Sequence, residues 1–539
     1  MLPDSAQPLS TRMPALNSVR SLAVSQWRVV VLGCFVVVAA AARMIDITGV
    51  PKGFFTDEAS FGLNADLILH SARDEYGEFL PILFRSFGEY KLPVFIYAEV
   101  PFMAIFGRTE EAVRLTSAVL GTLTVLTIYL LAKELFKHEV AALGAAGFLA
   151  ILPWHIHYSR TGLGDIVSLP LFFTLGFYLF FRAMRDRRSL IPAAVALALA
   201  FYCYRGGWLV IPPLLLVMVT AYRRELIAMR EFSLAAAGVF GVMLLPLAYH
   251  MLFSDSDRSS QAWIFNIDDP NRSTFEIFKD FYTSYHTKSF LFDNGDNGFL
   301  LRHFLPGQGW LYAVQGPLLL AGLVGMALRF NRRYLFVVLL LLVYPLTASV
   351  SDTSPISSRS ILGSVAFSLL SGIGLWAVAA AVSRLAPVRW KVAAGAVPVA
   401  VVGLIAASSF VSYERSYFDR YALLTDGYWG WQDGPQEIVE YFVRVEDEYD
   451  QLIMSGDFNA PMIFFRFYAG DDDCKKCFIG NVENYRPDRK QLFALKPENL
   501  EKATSAYRTL DTIYYKDGTV AFQFVEFTGG APQSGSGAR

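Results

Sequence analysis

Hydrophobic residues along this chain gather into long runs separated by short polar connections. A hydrocarbon layer about 30 Å thick is crossed by about 20 residues of helix. Runs of this kind lie near residues 28–46, 112–132, 138–154, 164–182, 188–203, 207–222, 232–253, 310–328, 334–350, 360–383 and 392–411. The pattern predicts about 11 transmembrane helices, the third, fifth and sixth being short. Two long segments, 47–111 and 254–309, interrupt the series, and from about Tyr413 the chain turns polar.

Cations in the short connections set the orientation, because Lys and Arg are enriched on the cytoplasmic side. Alternate connections carry Lys133 and Lys137; Arg182, Arg185, Arg187 and Arg188; Arg223, Arg224 and Arg230; Arg329, Arg332 and Arg333; and Arg384, Arg389 and Lys391. The intervening ones hold single cations, Arg160, Arg205 and Arg359. This places the N-terminus in the cytoplasm and, with an odd number of spans, the C-terminal region outside. Segments 47–111 and 254–309 then face out. The first run follows a leader with Arg12, Arg20 and Arg28 and ends in Arg43 rather than a small-residue cleavage site, as in a retained signal-anchor helix. Val94–Phe106 is apolar but too short to span, and Glu99 and Pro101 interrupt it, which suits an interfacial or re-entrant helix.

Residues 1–411 thus read as a transmembrane domain and 412–539 as a small extracytoplasmic α/β domain. A helix is expected from Pro435 to Tyr449, with Ile438, Val439, Phe442 and Val443 on one face. Thr512–Phe527 reads as a hairpin turning at Asp517-Gly518. The Gly/Ser-rich end after Phe527 is expected to be disordered. Asp471-Asp472-Asp473-Cys474-Lys475-Lys476-Cys477 admits a redox motif, half a zinc site or a local disulfide. A structural disulfide fits the extracytoplasmic side, and the domain has neither a second Cys pair nor any histidine for zinc. Cys34 and Cys203 read as small hydrophobes.

Composition agrees with the bilayer reading: 54% of the 539 residues are hydrophobic and 18% charged, with a mean hydropathy of +0.37. The net charge of -1 offers no basic field for nucleic acid. The centres of the spans hold almost no ionisable residue, unlike transporters, which place charges or broken helices near the midplane. Acids and bases collect instead in the outer segments, so chemistry is expected at the outer membrane surface.

The densest set lies in the first outer segment: Phe54-Phe55-Thr56-Asp57-Glu58, Tyr76-Gly77, Gly88-Glu89-Tyr90-Lys91-Leu92-Pro93, and Phe106-Gly107-Arg108-Thr109-Glu110-Glu111-Ala112-Val113-Arg114-Leu115. An acidic pair ending the first span, a Lys-x-Pro and an Arg-Leu in this order resemble the GT-C class of polyprenyl-phosphate-sugar-dependent glycosyltransferases. The branch resembled is that of protein O-mannosyltransferases and lipid A aminoarabinose transferases. The resemblance covers residues 28–250 well and the remaining spans in topology.

It implies a GT-C-like fold and transfer of a sugar from a polyprenyl-phosphate donor lipid to an acceptor hydroxyl of a protein, lipid or glycan. Asp57 matches the catalytic acid, which would take the acceptor's proton in an inverting displacement; Glu58 would orient Asp57 or the acceptor. Asp165 aligns with a second acidic site residue. Lys91 matches a lysine that pairs with the donor phosphate, whose charge grows as the glycosidic bond breaks, and Arg205 and Arg359 are candidates for the same cluster. Glu89 and Tyr90 are candidates for positioning acceptor or sugar, the alternative for Glu89 being that it merely pairs with Lys91.

Each has a plainer reading. Asp57-Glu58 suits a helix start, as does Asp165, and the two arginines suit interfacial anchors. His155 and His157, at strand-like spacing without a third ligand, read as solvated or interfacial rather than as a zinc site. The second outer segment, with Asp255, Asp257, Asp268, Asp269, Asp293 and Asp296 among Trp263, Phe265, Tyr282 and Tyr285, reads as a solvated acidic loop without a catalytic residue. No cofactor is assigned. A divalent metal stays open, since an acidic pair can bind one or dispense with it. The lipid bilayer of a cell membrane is the expected setting, and a lipid-linked sugar flippase is the rival reading.

Overall fold

The computed structural model describes residues 14–253, 263–296, 298, 300–469 and 474–528. Arg12, Asp255, Asp257, Asp471, Asp472, Asp473 and the Gly/Ser-rich end beyond Thr528 lie outside the described residues.

Helices form at all the apolar runs. They are α1 (Pro14–Met44), then, after α2 (Thr56–Ser71), the hairpin β1 (Phe84–Ser86) and β2 (Glu89–Lys91), and α3 (Pro93–Phe106), the long α4 (Glu110–Phe136). There follow α5 (Glu139–Ile151), α6 (Pro153–Ser159), α7 (Gly164–Ala183), α8 (Leu190–Phe201), α9 (Ile211–Ala221) and α10 (Arg230–Phe253). After the second long segment come α11 (Gln315–Leu328), α12 (Tyr334–Val343), α13 (Leu362–Leu385) and α14 (Lys391–Asp419).

Among the described residues, six helices are long and apolar enough to cross a membrane: Gln26–Met44, Glu110–Phe136, Gly164–Ala183, Arg230–Phe253, Leu362–Leu385 and Val388–Leu423. α5 and α6 make a seventh if the pair, bent by 53°, is one span. Pro153 supplies the break, because proline cannot continue an i→i−4 ladder. The helices at the remaining four runs, α8, α9, α11 and α12, hold 10 to 14 residues. At 1.5 Å per residue they are shorter than the runs that announced them.

The cation-rich connections gather at one end of the bundle. Arg185 pairs with Glu134, Arg333 donates to the Glu134 carbonyl at 3.2 Å, and Arg332 pairs with Glu225. The polar segments assemble at the other end. There Thr109 caps α4, its Oγ1 accepting from the Ala112 amide at 3.2 Å, with Glu110 and Glu111 in the positive first turn. α3 carries the interrupting Glu99 fully buried, neither carboxylate oxygen having a partner among the described residues.

The C-terminal part carries α15 (Pro435–Val445), within the expected helix, β3 (Gln451–Ser455), α16 (Met462–Tyr468), β4 (Cys477–Gly480), β5 (Gln491–Leu495), β6 (Tyr507–Tyr514) and β7 (Val520–Phe527). The sheet order is β4-β3-β5-β7-β6, with β3 parallel to β4 and β5 and β7 antiparallel to β5 and β6. The β6–β7 hairpin turns at Gly518, whose φ of +87° favours glycine. Cys474 and Cys477 are disulfide-bonded.

This part shares a core with α2, α3 and α4: Phe54, Phe61, Met103 and Val113 cluster with Phe442, Phe464, Phe467 and Phe522. Gly62 permits the approach, since a Cβ there would meet Val113 Cγ2 at 2.7 Å and Phe467 Cε2 at 2.8 Å. Arg466 pairs with Glu75, and the Tyr468 hydroxyl donates to Glu110.

Candidate active site

The acidic pair at the start of α2 divides its labour. Glu58 is fully buried. Its Oε2 accepts from the Phe55 amide at 2.8 Å, closing the first turn, and its Oε1 accepts from the Gly162 amide at 2.6 Å and Arg114 Nε at 3.0 Å. Arg114, also fully buried, donates to the carbonyls of Ile47, Pro51 and Gly53. Glu58 and Arg114 therefore bind the strap 47–53, the start of α2 and the Gly162 turn into one unit. Of the two roles expected of Glu58, orienting Asp57 or the acceptor, this geometry fits the first, since Glu58 closes the turn that carries Asp57.

Asp57, one residue earlier, keeps 30% of its side chain exposed. Its Oδ1 accepts from Lys91 Nζ at 2.7 Å, and Glu89 Oε1 accepts from the same ammonium at 2.8 Å. Glu89 and Lys91 project from one face of β2, as alternation along a strand requires. Burial works to lower the Lys91 pKa, but Asp57 and Glu89 outweigh it and hold the ammonium above the ordinary lysine range.

The same alternation sends Tyr90 to the opposite face. Its ring stands edge-on to His250 of α10, centroids 4.1 Å apart, in an apolar cluster with Leu83, Leu92, Tyr202 and Leu247. Tyr90 therefore braces the hairpin on α10 and does not stand beside Asp57. Arg205 donates to the Tyr90 carbonyl at 2.9 Å and lies 4.0 Å from Glu89 Oε2, so it joins the cluster through Glu89.

Asp165 sits in the first turn of α7, its Oδ1 buried without a hydrogen-bond partner among the described residues. It lies in the electrostatic field of Lys91, Asp57 and Glu89. Tyr204 is within electrostatic reach of Arg359, Asp165 and Arg205. Arg359 itself is 3.4 Å from Asp352 Oδ1.

Two groups escaped the sequence reading. Arg302 reaches into the site from the second long segment, its guanidinium 4.3 Å from the centre of the Phe55 ring. Burial lowers its pKa while Asp57 pulls it back up. Next to it, burial and the Arg302 charge push the His303 ring well below the ordinary range, leaving it neutral. The second is Asp296, expected to be solvated and in fact buried. It accepts from Trp310 Nε1 at 3.0 Å and from the Ser357 amide and hydroxyl at 2.9 Å each. Burial pushes its carboxyl up to about 7 against the pull of those hydrogen bonds.

His155 and His157 also differ from expectation. Proline at the first position starts a helix there, so both lie on α6 and both are buried. His155 Nδ1 stands 3.0 Å from Arg43, and His157 Nε2 is 2.9 Å from the Arg302 carbonyl. Among the described residues no three His, Cys, Asp or Glu side chains converge to hold a metal ion. An open cavity of about 530 Å³ between the strap and the start of α15 is lined by Lys52, Asp433 and Glu437, and by none of the sequence-predicted site residues.

The geometry combines a partly exposed carboxylate, a second carboxylate beside it and several cations at one end of an apolar helix bundle. Such a site can take a proton from a hydroxyl and stabilise a departing anion.

Residues 91–250 match the family described as dolichyl-phosphate-mannose-protein mannosyltransferase. No curated protein matches the sequence. Among solved structures, ArnT from Cupriavidus metallidurans bound to undecaprenyl phosphate aligns with a TM-score of 0.52 at 11% identity, over 93% of this chain and 99% of that one. The apo oligosaccharyltransferase of Archaeoglobus fulgidus aligns with a TM-score of 0.51 at 11% identity, over 92% of this chain and 74% of that one. The oligosaccharyltransferase AglB of the same organism, in complex with an inhibitory peptide and a dolichol-phosphate, gives 0.50 at 12% identity, over 93% and 74%. At these identities the structural likeness is one of fold.

Proposed function

We propose that this chain, whose residues 91–250 match the dolichyl-phosphate-mannose-protein mannosyltransferase family and whose fold aligns with that of ArnT, is a membrane glycosyltransferase of the GT-C class that uses a polyprenyl-phosphate-linked sugar, and that it transfers one sugar to an acceptor hydroxyl with inversion, using Asp57 as general base. The observation that carries this reading is the Asp57–Lys91 contact of 2.7 Å at the polar end of the bundle.

Asp57 takes the acceptor proton as the hydroxyl oxygen attacks the anomeric carbon; the bond from that carbon to the phosphate oxygen breaks, and the electron pair leaves with polyprenyl phosphate. Lys91, with Arg205, Arg302 and Arg359, meets the growing phosphate charge. A phosphate that draws Lys91 towards itself takes neutralising charge from Asp57 and makes that carboxylate a better base. Asp165 lies beside the pair and holds the acceptor or sugar, while Glu58 fixes the turn from which Asp57 projects.

The polyprenyl tail lies along apolar helices, and the acceptor is a protein, lipid or glycan hydroxyl. The polar end of the bundle faces out, leaving the N-terminus and the cation-rich connections in the cytoplasm. A sugar nucleotide is disfavoured as donor because such donors are made in the cytosol. The test is whether purified protein releases polyprenyl phosphate from a sugar-loaded carrier in the presence of acceptor. A protein that only moves the intact lipid-linked sugar across the bilayer would contradict the reading.

A further inference from the structure

Residues 300–310 and 351–360 bring Arg302 and Arg359 to the site without belonging to the helix bundle's regular elements. Both segments are tied to a single buried carboxylate, Asp296. Trp310 Nε1 donates to Asp296 Oδ1 at 3.0 Å and so ties Asp296 to the segment that carries Arg302 and His303. The Ser357 amide and hydroxyl donate to Asp296 at 2.9 Å, two residues before Arg359.

The Ser357 carbonyl in turn accepts from Trp154 Nε1 at 3.1 Å, and its hydroxyl is 2.7 Å from the Tyr158 hydroxyl. Tyr158 stands 3.4 Å from His303 Nδ1, returning to the first segment. Each atom of Ser357 able to hydrogen-bond is used, and the partners are Asp296 and residues of α6. His303 lies in the electrostatic field of both Arg302 and Arg359.

From this closed set of bonds we infer that Asp296 is a positioning residue for the donor site, holding together the segments that carry Arg302 and Arg359. The inference rests on the reading that these arginines meet a polyprenyl phosphate. A carboxylate suits this position because its two oxygens can accept from Trp310, the Ser357 amide and the Ser357 hydroxyl together, whereas an amide offers one acceptor oxygen and would strand a buried donor. Asp296 touches no reacting atom in this scheme.

The test uses the full-length protein in nanodiscs with undecaprenyl phosphate as probe. Asp296→Asn is expected to weaken probe binding by at least about fivefold, the scale of one stranded buried donor. Ser357→Ala, which removes only the hydroxyl, should do so to a smaller extent and guards against a variant that fails to fold. Arg359→Ala should cost markedly less in the Asp296→Asn background than alone, because the first change has already misplaced the arginine. Additive losses, or unchanged binding in Asp296→Asn, would overturn the inference. If the parent protein does not bind undecaprenyl phosphate, the phosphate reading itself fails. Amide exchange then decides the positioning role: faster exchange at residues 300–303 and 356–360 in Asp296→Asn supports it, and unchanged exchange overturns it.

Discussion

Lys91 donates a hydrogen bond to Asp57 across 2.7 Å, joining residues 34 positions apart in the sequence. One lysine thereby neutralises the proposed base and stands ready for the proposed leaving group. Lys91→Ala removes a charge felt by the phosphate in both ground and transition states, so donor affinity and turnover should both fall. Equilibrium binding of undecaprenyl phosphate measured beside single-turnover rates would show this; a variant with normal affinity would place the lysine outside the phosphate site.

Glu58 and Arg114 form a fully buried pair. Glu58→Gln leaves the guanidinium without its counter-charge, at a cost of about 3–5 kcal/mol typical of a broken buried pair. A lowered midpoint in thermal unfolding is expected, with the fraction that stays folded retaining donor binding. Unchanged stability together with lost turnover would return Glu58 to a direct role in chemistry.

The shared core between α2 and the C-terminal part gives a different prediction. Gly62→Leu would drive a side chain into Val113 and Phe467, and overpacking of this kind typically costs about 1–3 kcal/mol. Activity should drop because the turn bearing Asp57 shifts, and protease sensitivity of the C-terminal part should rise. Wild-type activity with Leu at this position would show that the two parts pack independently.

Orientation is tested with tags. Insertions near Arg187 and Arg332 are expected to be reached only from the cytoplasmic side, and one near Gly298 only from outside. Outside access to the Arg332 connection would invert the scheme and remove the argument for a lipid-linked donor.

Much of this architecture was legible because a bilayer imposes one long, simple pattern. Every apolar run became a helix, but α8 and α12 came out shorter than their runs, since hydropathy marks apolar character and not where a backbone turns back. The hairpin at Gly518 and the helix at Pro435 were readable from local turn and capping chemistry. The contact between Asp57 and Lys91 was not: the ordered motifs marked each residue without placing the two together. His155 and His157 were misplaced because their spacing suggested a strand while Pro153 was starting a helix. Nothing local separates Asp296 from the other acids of its segment. Its burial is decided by Trp310, 14 residues away, and Ser357, 61 residues away.

The most direct test of the central claim is the single-turnover rate of Asp57→Asn with a sugar-loaded polyprenyl phosphate and saturating acceptor. Asn keeps the size of the side chain and caps a helix about as well as Asp, so the fold and donor binding should persist. Loss of general-base assistance should slow the chemical step by about 100- to 10,000-fold. A near-normal rate in Asp57→Asn would contradict the account, whatever Lys91 does.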